Sequence, residues 1–119
     1  MVGHRVVERR WEYAPPPRIM YEALVGEWRQ WFTLLPGENA PTVTATNPPG
    51  VVVFQPWVDP IISAVEVRIA PSTDTGSTLT VLAYSDEQDL SDELRRRVRH
   101  RLGALFGAAL RQWVDEPHW

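Results

Sequence analysis

Residues 11–32 read WEYAPPPRIMYEALVGEWRQWF, and the run of prolines at its centre decides how the first third of the chain folds. Upstream, His4 to Tyr13 alternates loosely and predicts a strand. One face of it would carry Val7, Arg9, Trp11 and Tyr13, the other Val6, Glu8, Arg10 and Glu12. Pro15, Pro16 and Pro17 end the strand, because proline has no N–H for a sheet ladder. The same residues suit the first turn of a helix, where backbone N–H groups have no partner in any case. The prolines therefore read as a strand-to-helix switch. Arg18 to Val25 follows as a short helix with Ile19, Met20, Ala23 and Leu24 at helical spacing. After Gly26, Glu27 to Leu34 predicts a second, which brings Trp28, Trp31 and Phe32 to one side.

Working outward, Pro36-Gly37 is a turn, and β-branched residues then take over. Thr42 to Thr46 predicts a strand, Asn47-Pro48-Pro49-Gly50 a turn, and Val51 to Trp57 another strand, with Pro56 arguing for an edge or a bulge. Ile61 to Ala70 is the clearest strand, with Ile61, Ser63, Val65, Val67 and Ile69 on one face and Glu66 and Arg68 on the other. The STDTGS stretch from Ser72 to Ser77 is a hairpin loop. Thr78 to Ser85 is the last strand, and its two faces are too alike to orient. Leu90 to Val114 predicts a long helix capped by Asp89 or Ser91. Its apolar stripe runs through Leu90, Leu94, Val98, Leu102, Leu105, Phe106, Ala109 and Trp113. The order is α+β: an antiparallel sheet of about five strands, two short helices after the first strand, and a long C-terminal helix.

At 119 residues the chain predicts a single domain spanning residues 1–119. With 44% hydrophobic and 23% charged residues it is ordinary for a globular protein, but six tryptophans promise large apolar area in a core or a pocket wall. Cysteine is absent, which excludes disulfides and thiol catalysis. A net charge of −3 gives no general reason for nucleic-acid affinity. Every basic residue is arginine, which reads as a GC-rich coding bias of an actinobacterial kind. No apolar leader and no membrane-length apolar run is visible, so a cytoplasmic protein with no membrane partner is the expectation.

The succession of a strand ending in aromatics, APPPRIMYEAL, EWRQWF, VEVRIAPSTDTGSTLTV and LGALFGAALRQWV resembles the START / Bet v 1-like superfamily, also called SRPBCC or helix-grip, and within it the polyketide cyclase/dehydrase-like branch. The resemblance covers most of the chain and departs in one place. Members commonly place a Gly-rich hairpin soon after the second helix, and Pro36 to Thr42 leaves no room for one, so a shortened sheet with an exposed edge is implied. It also implies a small apolar or aromatic ligand held between sheet and C-terminal helix, cyclase- or dehydratase-type activity on a polyketide-like substrate if the protein is an enzyme, and no cofactor.

Under that resemblance Trp11, Tyr13, Tyr21, Trp31, Phe54, Trp57, Phe106 and Trp113 are pocket material, with Val65, Val67 and Leu102 beside them. The plain alternative is that these residues fill the core. Arg9 shares a strand face with Trp11 and Tyr13, where a guanidinium could orient a carboxylate or enolate. Tyr84 could donate a hydrogen bond there; these two are the candidate catalytic residues. His4, His100 and His118 have no metal-ligand spacing, so no metal site is expected. The run RRRVRHR, Arg95 to Arg101, reads as a solvated helix face balanced by Asp86, Glu87, Asp89, Asp92 and Glu93 just before it, the alternative being a contact for an anionic partner such as nucleic acid, a lipid headgroup or an acidic protein. Gly103 and Gly107, with Ala104 and Ala108, form a small-residue patch suited to close approach by another element or a second subunit. The competing functional reading is a non-catalytic interaction module that dimerises through the exposed sheet edge or that glycine face.

Overall fold

The computed structural model describes residues 4–32, 35, 36, 38, 41–55, 62–72, 75–87 and 89–115. Strand β1 (His4–Tyr13) leads through the proline switch into α1 (Pro17–Val25) and a single turn, α2 (Trp28–Trp31). Four strands follow: β2 (Val43–Asn47), β3 (Val51–Phe54), β4 (Ile62–Pro71) and β5 (Ser77–Ser85). The C-terminal helical run has three parts: α3 (Asp92–Leu102), a π-helical segment (Gly103–Ala109) and α4 (Leu110–Asp115). The sheet is five-stranded and antiparallel throughout, in the order β1-β5-β4-β3-β2. α1 lies over β3, β4 and β5, whereas α3 packs against β1.

The proline switch forms as its chemistry dictates. Pro16 is extended at the N-cap, Pro17 opens α1, and Met20, Ala23 and Leu24 turn inward. The Ser77 hydroxyl, fully buried, donates to the Pro15 carbonyl at 2.7 Å and pins the turn to the start of β5. Gly76 permits that approach, since a side chain there would begin 2.3 Å from the Tyr13 carbonyl oxygen. Ser91 caps α3, accepting from the Leu94 N–H at 3.1 Å, with Asp92 and Glu93 in the first turn.

Two bulges change the strand faces expected from strict alternation. A register shift between Arg5 and Val7 lets Val6 and Val7 both turn inward, so Val6 leaves the polar face. A second shift lies between Ile62 and Ala64; Ile62 is buried, Ser63 is half-buried and donates to the Tyr84 carbonyl at 3.3 Å, and Ile61 lies outside the described residues. Beyond the bulges the inner face reads Val7, Arg9, Trp11 and Tyr13 on β1, Val65, Val67 and Ile69 on β4, and Leu79, Val81 and Ala83 on β5.

The π segment changes the helix stripe. The Leu110 N–H reaches back five residues to the Leu105 carbonyl rather than four. Leu110 and Val114 therefore continue the buried stripe, and Ala109 and Trp113, expected there from an ideal helix, are only partly buried. Gly103 and Gly107 face β1 of the same chain. A side chain on either would begin 2.9 Å from Arg9 Nη1 or Trp11 Nε1 respectively, so β1 of the same chain occupies that side of the helix. Ala104 and Ala108 point outward and are exposed. The small-residue patch is thus divided, and its glycine half serves packing within the chain.

Candidate functional site

Most of the expected pocket residues meet in one cluster. Tyr13, Trp31, Phe54, Val65, Val67, Leu102 and Phe106 are buried together, and Trp11, Tyr21 and Trp113 lie half-buried against them. Trp57 lies outside the described residues. The rings form a continuous series of contacts: Trp11 stacks on Phe106 at 6.1 Å between centroids, Phe106 meets Trp31 at 5.8 Å, and Trp31 meets Phe32 at 5.6 Å. Trp31 is fixed from the other side by donating its indole N–H to the Ala23 carbonyl at 2.9 Å. Tyr13 donates its hydroxyl to the Phe106 carbonyl. Burial pushes its phenol well above the ordinary range, with the nearby Arg111 guanidinium opposing part of the shift.

The two candidate catalytic residues do not come together. Arg9 is on the inner face as its register demands, with its guanidinium 4.8 Å from the Trp11 ring centroid and donating to the Arg99 carbonyl at 3.3 Å. Tyr84 pairs with Arg5 and Ala64, which places it on the opposite face of the sheet with Leu82. It is buried there beside the exposed ion pairs Arg5–Glu8 and Glu66–Arg68. A whole sheet separates the two, so the enolate-stabilising pair that the resemblance suggests does not assemble from Arg9 and Tyr84.

The arginines of the C-terminal helix have divided roles that the charge run hides. Arg96, Arg97, Arg99 and His100 are exposed. Arg95 donates to the Val6 carbonyl at 2.9 Å, and Arg111 donates to the Glu12 carbonyl at 2.7 Å while lying over the Tyr13 ring. Both therefore tie the helix to β1. Arg101 is buried and grips Glu38 with two bonds, Nε to Oε2 at 2.9 Å and Nη2 to Oε1 at 2.7 Å. Glu38 also accepts from the Leu35 N–H at 2.8 Å, which fixes the turn after α2. The signal for Arg101 was available in its spacing. It stands three residues after Val98 and four before Leu105, on the apolar stripe itself.

Three clefts lined by described residues lie at the surface. One of about 380 Å³ is formed by Glu12, Tyr13, Ala14, Ser72, Thr75 and Gly76, and another of about 360 Å³ by Glu93, Arg96, Arg97 and His100. A third cleft, of about 460 Å³, opens between the proline switch and the end of the helix, with the mainly apolar residues Ala14, Pro15, Pro16, Ile19 and Val114 and the carboxylate-bearing Asp115 as its walls. Ile19, predicted for the packed side of α1, is instead 36% exposed. None of the residues lining this third cleft was singled out as a ligand contact from sequence. The exposure of an isoleucine just after three prolines becomes meaningful only when the helix end is seen opposite it. Among the described residues no helix is long and apolar enough to cross a membrane, and no group of acidic or histidine side chains is placed to hold a metal.

No family model matches the chain, and no curated protein matches it by sequence. Its structure is similar to that of protein MLL2253 from Mesorhizobium loti, with a TM-score of 0.61 and 18% identity over 95% of this chain and 98% of that one. It is also similar to the Aha1 dimer from Colwellia psychrerythraea, with a TM-score of 0.60 and 14% identity over 87% and 92% of the two chains. The lipid transfer and protein localization domain of human StarD13 matches with a TM-score of 0.53 and 14% identity, over 92% of this chain and 76% of that one. With its antiparallel sheet, paired short helices and long closing helix, the chain has the helix-grip fold of the START and Bet v 1-like proteins.

Proposed function

We propose that this protein binds a small apolar molecule at the cleft between the start of α1 and the end of α4. The observation that carries this reading is the cleft itself: about 460 Å³, walled mainly by Ala14, Pro15, Pro16, Ile19 and Val114. Concave, mostly apolar surface with few polar groups is the usual character of a small-molecule site. The proline-rich wall is also rigid, so little conformational entropy is lost when a ligand settles on it. A helix-grip neighbour, the StarD13 domain, is described as a lipid transfer domain, which agrees with an apolar ligand for this fold. The reading is one of binding, because Arg9 and Tyr84 lie on opposite faces and no cyclase or dehydratase step is derived from them. Calorimetric titration with octan-1-ol, a neutral eight-carbon probe, tests it. Saturable binding that falls at least fivefold in Ile19→Glu and survives in Ile19→Met supports the reading, while heat indistinguishable from dilution contradicts it.

A second reading, a protein-interaction module acting through a sheet edge, is favoured by one asymmetry. Carbonyls of β1 are engaged by Arg95 and Arg111, whereas β2 pairs with β3 alone among the described strands and is exposed over most of its length. Native mass spectrometry separates the two readings. A co-purifying small molecule on a monomer supports ligand binding, and a clean dimer supports the edge.

A further inference from the structure

We infer that the cleft between α1 and α4 selects an apolar molecule bearing a protonated amine over one bearing a carboxylate. This inference rests on the cleft being the binding site.

Among the described lining residues the walls of the cleft are apolar apart from Asp115, which supplies the ionisable group. Asp115 is exposed, and no ion pair with a described residue occupies its carboxylate. It stands in the last turn of α4, where the helix backbone adds its own negative end and the final carbonyls have no partner within the helix.

The opposite wall offers little positive potential to offset this. A helix start ordinarily presents free N–H groups to an anion. Here Pro15, Pro16 and Pro17 carry none and the N–H groups of Ile19 and Met20 both turn back to the Pro16 carbonyl at 3.0 and 3.2 Å, so in this first turn Arg18, outside the cleft lining, has the remaining backbone N–H. Arg18 follows the prolines but does not line the cleft, and Arg111 is already committed to the Glu12 carbonyl and the Tyr13 ring. Among the described residues the cleft therefore presents apolar walls, the acceptor end of a helix and the Asp115 carboxylate. An ammonium head on a short alkyl chain satisfies all three, whereas a carboxylate head meets repulsion.

Three probes of equal chain length test this in the full chain at pH 7: octylamine, octan-1-ol and octanoate, each titrated into the wild type and into Asp115→Asn. Octylamine should bind about tenfold more tightly than octanoate, as expected for gaining a partly exposed ion pair in one case and like-charge repulsion in the other. In Asp115→Asn that ratio should fall to about twofold. Octanoate binding as well as octylamine overturns the inference. A tenfold preference that survives in Asp115→Asn also overturns it, by assigning the preference to the protein's overall charge. Octanol separates the layers: if it binds and the charged pair do not differ, only the charge preference fails, and if octanol itself does not bind, the cleft reading fails and the inference with it.

Discussion

The indole nitrogen of Trp11 lies 2.9 Å from the point where a side chain on Gly107 would begin. Trp11 also stacks on Phe106, the residue before that glycine, so β1 and the π segment interlock through one ring and one missing side chain. Gly103 has an equivalent neighbour in Arg9 Nη1, also at 2.9 Å, but that atom is the end of a flexible side chain.

The two glycines should therefore respond differently to alanine. Helix propensity alone favours either substitution by about 1 kcal/mol. In Gly103→Ala the Arg9 guanidinium can swing aside, so stability should be unchanged or slightly raised. In Gly107→Ala the ring is held by Phe106, and overpacking of about 1–3 kcal/mol should outweigh the gain. Chemical denaturation of both variants checks the ordering, and equal effects would show that the ring is not confined.

Tyr13→Phe removes the hydroxyl that donates to the Phe106 carbonyl and should cost about 1 kcal/mol at neutral pH. The alkaline behaviour follows from the raised phenol. Because the folded state holds this proton more tightly than the unfolded chain does, its contribution is complete below the ordinary phenol value of about 10 and is lost as pH rises past it. The wild type should thus lose stability faster than Tyr13→Phe above pH about 10. Parallel pH profiles for the two proteins would contradict this.

Glu38 and Arg101 form a buried pair, with about a tenth of each side chain exposed. Removing one partner leaves the other charge buried, so Glu38→Ala should cost about 3 kcal/mol or more. The double variant Glu38→Ala, Arg101→Met should cost clearly less than the sum of its single changes. A double-mutant cycle by urea unfolding measures the coupling, and simple additivity would argue against it.

The strand-to-helix switch was legible because proline acts through its own covalent structure and needs no tertiary partner. Antiparallel pairing was legible because short connections favour antiparallel neighbours, whereas the pairing of β1 with β5, at opposite ends of the strand sequence, was not. What sequence did not reveal depends on partners distant along the chain. The stripe ending on Ala109 and Trp113 assumed a constant helical step, and the π segment, facing Trp11 and Tyr13 across the core, shifts it to Leu110 and Val114. Tyr84 could not be oriented because β5 is apolar on both faces, with Leu82 buried on the outer one. The spacing of Arg101 put it on the apolar stripe, but its partner could not be read, because Glu38 lies 63 residues away. The cleft itself joins the start of α1 to the last turn of α4, and alternation within either segment carries no trace of the other.

An apolar molecule should settle between the start of α1 and the end of α4. Two-dimensional amide NMR of the labelled protein, titrated with octan-1-ol, locates it directly. The prediction is saturable shifts centred on Ala14, Ile19 and Val114, with β2 and β3 undisturbed. Shifts concentrated on β2 and β3, or none that saturate, would contradict the account.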